Sequence, residues 1–232
     1  SRRPGKAAVT LGGLSISSPM HGMEHLFSLL LVLWLGLSFW NRQEQRKRMA
    51  LLAEYLRPYQ IEKQMESLIN GYLRALGEQD PVRQEQVWGV LQDTERNLQR
   101  QFSAFAADLQ RAEGDTRMAP IPYQAALARY LGQDGSFDLR EVMPIHARGI
   151  LACQAPDTEE DSESRKRRAF AMTAELMLMQ HSCHWYCRSR ALASARLHAQ
   201  HKTGYGQVLA GITSGTRQAY AMLPGMPALP SA

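Results

Sequence analysis

The apolar residues of this chain fall into one unbroken run and a series of spaced stripes. Leu26 to Trp40 contains no charged side chain and is followed at once by Asn41-Arg42-Gln43-Glu44-Gln45-Arg46-Lys47-Arg48. An apolar helix closed by tryptophan and followed by Arg and Lys predicts a membrane span whose basic side stays in the cytoplasm. Fifteen helical residues rise only about 22 Å against a hydrocarbon core of about 30 Å. The predicted span therefore reaches back to Met20, giving an anchor over 20–41 with His21, Glu24 and His25 at the outer interface. The competing readings are a buried core helix and a cleaved signal peptide. A signal peptide carries its positive charge before the apolar run and small residues after it. Here bulky basic residues follow instead.

Beyond the anchor the apolar positions recur at helical spacing, and no run of alternating β-branched residues stands out, so an all-α domain is expected. The anchor helix is expected to continue to Pro58, and a second helix to cover 59–77. Asp80-Pro81 supplies an N-cap followed by proline at the first helical position. The helix it opens carries Val87, Leu91, Leu98, Phe102, Phe105 and Leu109 on one face, in steps of four, seven, four, three and four. Arg83, Glu85, Asp93, Glu95, Arg96 and Arg100 are assigned to the opposite face. Gly114-Asp115 ends it. A short helix over about 122–131 and a turn at 132–136 follow. The next helix runs from Leu139 to Cys153, with Pro144 marking its start. The longest soluble helix is expected over 164–201 and a last one over 205–222. This divides the chain into a disordered tail 1–19, the anchor 20–41, membrane-proximal helices 42–112, a C-terminal helical domain 113–223 and a disordered tail 224–232.

Charge changes this picture more than overall composition does. The net charge of +5 is unevenly spread. From Ser164 onward nine Lys and Arg stand against one acid, Glu175, a local charge of +8. Residues 1–163 therefore carry −3. A basic lobe on the cytoplasmic side of a membrane implies an acidic partner. The candidate residues for it are Arg165, Lys166, Arg167, Arg168, Arg188, Arg190, Arg196 and Arg217. The first four would sit at a helix N-terminus, where positive charge opposes the macrodipole. Two readings follow: binding of an external anion, or pairing with the acidic loop 157–163 beside them. No nucleic-acid motif or interleaved aromatic pattern accompanies the basic residues, so direct nucleic-acid binding is not expected.

Three cysteines without framework spacing fit a reducing compartment. Cys183 and Cys187, four apart on a helix with His184 between them, are the only tempting metal candidates. Structural zinc takes ligand pairs from two separate segments, whereas His198 and His201 would lie on the same helix, more than three turns away. Packing beside Trp185 and Tyr186 is the favoured reading. No phosphate loop, serine elbow or paired carboxylates occur, so neither a cofactor nor enzymatic activity is expected.

The blocks Arg168-Ala169-Phe170-Ala171-Met172-Thr173, Ala191-Leu192-Ala193-Ser194-Ala195 and Ser214-Gly215-Thr216-Arg217-Gln218 resemble, in order and spacing, those of the DotM/IcmP/TrbA family. That family contributes membrane-anchored components of the coupling complex in type IVB secretion and I-type conjugation. Its blocks read His-Ala-Phe-x-x-Thr, Leu-x-Ser-Ala and Asn-x-x-Gly-Arg. Arg168 stands where the family has histidine, and Leu197 to Lys202 replaces the family's Trp-Leu-Lys-Pro stretch. The resemblance implies a non-enzymatic inner-membrane protein with a helical cytoplasmic domain. It would assemble with secretion subunits and receive acidic peptide signals on basic residues. The alternatives are a metal-binding regulator built on Cys183 and Cys187, or a scaffold that meets anionic lipid.

Overall fold

A computed structural model describes residues 20–118, 137–156 and 160–223, with side chains from Glu24 onward. The expected helix over 122–131, the turn at 132–136 and both tails lie outside these residues. Eight helices and two very short strands make up the described chain.

Helix α1 runs unbroken from Met20 to Leu56. The chain falls into two compact units, one ending at Phe39 and one beginning at Trp40. In the first unit, the side chains of the apolar run are largely exposed, Phe27 at 70%, Leu29 at 68% and Val32 at 67%. A core helix would bury them. α1 is long and apolar enough to cross a membrane, and none of its apolar window is buried.

In the second unit, α2 (Ile61–Gly77) and α3 (Pro81–Leu109) pack together through Leu68, Tyr72 and Ala75 against Trp88 and Leu91. Asp80 caps α3 as expected, accepting from the amides of Val82 and Arg83. Proline at the next position has no amide to lose there. The strands β1 (Arg117–Met118) and β2 (Phe137–Asp138), which the sequence did not suggest, form one antiparallel pair in the register Arg117–Asp138 and Met118–Phe137. Two residues are too few for an alternation to be visible. The pair seats Phe137 edge-on against Trp185, centroids 5.0 Å apart.

Helix α4 (Leu139–Ala152) begins five residues before Pro144. Asp138 is its cap, accepting from the Arg140 amide while its carboxylate pairs with the Arg140 guanidinium at 2.6 Å. The cap satisfies the first turn, and Pro144 is carried inside the helix.

The expected helix over 164–201 is two helices, α5 (Ser162–Cys187) and α6 (Arg190–His201). The chain leaves helical geometry at Arg188, and Ser189 restarts it by accepting from the Leu192 amide. α3, at 29 residues, is longer than α5 at 26. The expected last helix is likewise two, α7 (Tyr205–Gly211) and α8 (Ser214–Ala221), separated where Thr213 caps α8.

α5 is the central element, buried on several sides and packed on α2, α4, α6, α7 and β1. One hydrophobic cluster runs from Leu52 and Leu68 through Phe102 and Leu139 to Tyr220. The division expected near residue 113 leaves no seam in that core, because α4 packs on both α3 and α5.

Candidate functional site

The eight basic residues singled out from sequence do not form one patch. Lys166, Arg167 and Arg188 lie 21–22 residues apart across α5, about 32 Å of helix. The N-terminal cluster is further divided by its own neighbours. Arg168 is turned inward with a side chain only 9% exposed. Its Nη1 donates to both carboxylate oxygens of Glu95 at 2.8 Å, its Nε to Glu160 at 3.0 Å, and Nη1 also reaches the Cys153 carbonyl. Arg165 pairs with Glu85 at 2.6 Å and lies over the Trp88 ring. Lys166 and Arg167 are exposed, the latter reaching only Ser164 among the described residues.

Arg165 and Arg168 are thus taken up by the fold, and a binding role for them is set against these internal pairs. Glu160 belongs to the acidic loop that the sequence offered as an internal partner. Glu95 does not. The macrodipole problem is also smaller than expected. α5 begins at Ser162, Asp161 caps it through the Ser164 amide at 2.6 Å, and Glu163 lies in the first turn. Those acids complement the helix end.

At the other end of α5, Arg188 donates to Gln45 of α1 at 3.0 Å. That contact places it beside exposed Arg42 and Arg46. Arg196 is exposed on α6. Arg190 spreads over the rings of Trp185 and Tyr205, and Arg217 donates to the Ala210 carbonyl at the end of α7.

Arg48, part of the basic block behind the anchor, is buried. It donates to the carbonyls of Arg117 and Tyr186, pairs with Asp115 at 3.2 Å and stacks on the Tyr186 ring. Its role is to join α1 to α5 and β1. Nothing in its sequence context separates it from Arg46 and Lys47.

Glu175 is fully buried. Its carboxylate accepts from the amide and hydroxyl of Thr213 at 3.0 and 2.9 Å. Burial raises its pKa, against the hydrogen bonds from Thr216 and Thr213. The single acidic side chain after Ser164 is therefore absent from the surface, and every exposed charged side chain from there to Leu223 is cationic.

Around it lies a buried polar network. His146 Nε2 and Tyr220 Oη each approach Ser182 Oγ at 2.9 Å, while Ser182 donates to the Leu178 carbonyl. With the serine proton on that carbonyl, both neighbours must donate to the oxygen. His146 is then the Nε2–H tautomer, and its buried Nδ1 has no partner among the described residues. Burial pushes the pKa values of His146 and His181 down to about 3. A serine and a histidine in contact invite a nucleophilic reading. Here both are sealed from solvent, and the serine proton is committed to a backbone carbonyl.

Cys183, Cys187 and His184 line one cavity between α1, α2 and α5. No three His, Cys, Asp or Glu side chains among the described residues are placed to hold a metal together. Burial pushes His184 down to about 4 and Cys187 up to about 11, and raises Cys183 further. His198 and His201 lie beyond the break at Ser189, on α6, where His201 contacts Gln180.

No family model, curated protein or solved structure matches this chain.

Proposed function

We propose that this chain is a single-span, non-enzymatic inner-membrane protein whose helical cytoplasmic domain docks an acidic partner. The observation that carries this reading is the burial of Glu175. It leaves the segment from Ser164 onward with exposed Lys166, Arg167, Arg188, Arg196 and Lys202 and no exposed acid of its own, while Asp161 and Glu163 stand at the start of α5 beside the first two. Such a surface favours anions and speeds their encounter, most strongly at low ionic strength. Assembly into a conjugation or type IV secretion apparatus is the setting that the block resemblance suggests, with a glutamate-rich signal as the partner. Orientation follows from the basic residues directly after the apolar run.

The test is binding of a fluorescent glutamate-rich peptide to the detergent-solubilised full chain. Lys166→Glu with Arg167→Glu, and separately Arg188→Glu with Arg196→Glu, should each weaken capture at low salt and leave thermal unfolding unchanged. Unaltered binding in both pairs would end the docking reading. Arg165 and Arg168 are unsuited to this test because their reversal breaks internal pairs.

The Arg188–Gln45 contact favours a second reading for one end of the lobe. Arg188 contacts the segment of α1 that carries exposed Arg42 and Arg46, and juxtamembrane cations of this kind meet anionic headgroups at about 1 kcal/mol per residue near the surface. Sedimentation with vesicles with and without anionic lipid separates the two. The lipid reading requires that Arg188→Glu lower vesicle binding.

A further inference from the structure

The sulfur atoms of this chain are unevenly distributed. Met179, Cys183 and Cys187 recur every four residues of α5 and so share one helix face. All three line a cavity of about 180 Å³, and Met49 of α1 and Met65 of α2 line it too. Two of the three cysteines and three of the eleven methionines thus converge on one small space. Its remaining wall is aliphatic apart from Glu62, Gln180 and His184.

A zinc-type tetrahedral set is not formed, since no three His, Cys, Asp or Glu side chains meet among the described residues. Thiolate and thioether donors together select a softer ion, and copper(I) is satisfied by two or three of them. We propose that this cavity is a site for one copper(I) ion, held by Cys183 and Cys187 with thioether support from Met179 and Met65.

The charges around the cavity fit that occupant. Copper(I) with two thiolates carries a net charge of −1. The guanidiniums of Arg188, Arg48 and Arg196 all act on Cys187 in favour of its thiolate, while Glu62 acts against that of Cys183. Copper(I) takes both cysteines as thiolates. Loading therefore forms two copper–sulfur bonds and releases both thiol protons to solvent, with copper entering and remaining as copper(I). Cys153 is no part of the site. It is buried elsewhere, near Glu175, Arg168 and Glu95, and its thiol is pushed up to about 12.

The experiment is an anaerobic titration of the reduced, detergent-solubilised full chain with copper(I), in competition with a chromogenic copper(I) chelator. The native chain should withdraw one equivalent, and Cys153→Ser should do the same. Cys183→Ser with Cys187→Ser should withdraw none. Met179→Leu and Met65→Leu keep the volume of the side chain and remove only its sulfur, so they should unfold at the native temperature and bind at least tenfold more weakly. Failure of the native chain to take up copper overturns the site. Native-like affinity in both methionine variants overturns the cavity as its location. The acidic-peptide reading shares Arg188 and Arg196 with the surroundings of this site but none of its sulfur donors, so the cysteine and methionine variants test the copper site separately.

Discussion

Glu95 and Arg168, seventy-three residues apart, meet inside the protein, with one guanidinium nitrogen donating to both carboxylate oxygens at 2.8 Å. The carboxylate is 1% exposed and also accepts from Tyr72 Oη at 2.6 Å and from the Ala155 amide at 3.2 Å. Four parts of the chain, α2, α3, α5 and the end of α4, are joined at this carboxylate. Its burial is tolerable because each lone pair is met.

Removing one partner leaves the other charged and buried. Glu95→Ala or Arg168→Ala should each cost about 3–5 kcal/mol. The double variant should cost less than the sum, with a coupling of about 1–3 kcal/mol in a double-mutant cycle. Urea unfolding of the four proteins measures this. Additive losses would mean that the pair does not act as a unit.

Arg48 should behave as a structural rather than a lipid-facing arginine. Arg48→Met keeps the apolar stem but strands the Arg117 and Tyr186 carbonyls, and should cost about 2–4 kcal/mol. Arg48→Lys should not restore the loss, since one ammonium cannot replace a fork that spans two carbonyls and Asp115. Arg46→Met, on exposed surface, should change stability by less than about 0.5 kcal/mol. Thermal and urea unfolding of the three compare them directly.

Acid should destabilise the domain through its histidines. His146, His181 and His184 are depressed in the folded state to about 3, 3 and 4, well below the ordinary imidazole value of about 6.5. Burial is the main cause in each, with Arg190 adding to it at His181 and Arg196 at His184. Below pH 6.5 the unfolded chain binds more protons, so stability is complete above that pH and falls as pH drops toward the folded values. The limit is about 1.4 kcal/mol per pH unit per histidine. Glu175 acts in the opposite sense. Its raised pKa contributes stability at low pH that is lost as pH rises through its folded value, so it offsets part of the decline. Urea midpoints between pH 7.5 and 5 should fall, and His146→Gln should make the slope shallower whatever it does to stability at pH 7.5.

At Gly149, α4 lies against side chains of α5 and α8. A Cβ there would collide with the Glu175 carboxylate and the Thr216 hydroxyl. Gly149→Ala should therefore destabilise by about 1–3 kcal/mol, despite alanine's better helix propensity. The mutation of exposed Gly89 to alanine, with open space around its Cβ position, should stabilise by up to about 1 kcal/mol. Their melting temperatures should move in opposite directions.

Several local signals were legible. Asp80-Pro81 announced α3 because a cap and its proline act within one turn. The apolar stripe of α3 held too, with one instructive omission. Its steps of four, seven, four, three and four skip one position between Leu91 and Leu98, and Glu95 fills it. Assigned to the polar face by residue type, Glu95 lies on the buried face by position. Spacing carried the information and chemistry concealed it. The break between α5 and α6 was harder to see. Neither glycine nor proline marks it, and Ser189 is an ordinary residue until its hydroxyl is seen to cap Leu192.

By itself, the sequence determined what depends on neighbours along the chain. The uncharged run with its basic follower makes a helix long and apolar enough to span a membrane, and apolar periodicity makes most of the other described residues helical. The excess of cations after Ser164 is also a property of the chain alone. Tertiary structure decided which charges remain at the surface. Arg48 and Arg168 are indistinguishable in sequence from their exposed neighbours, and residue type alone would put Glu95 and Glu175 at the surface. A buried ion persists only where partners distant in sequence converge to meet it, and only the packed fold can bring those partners together.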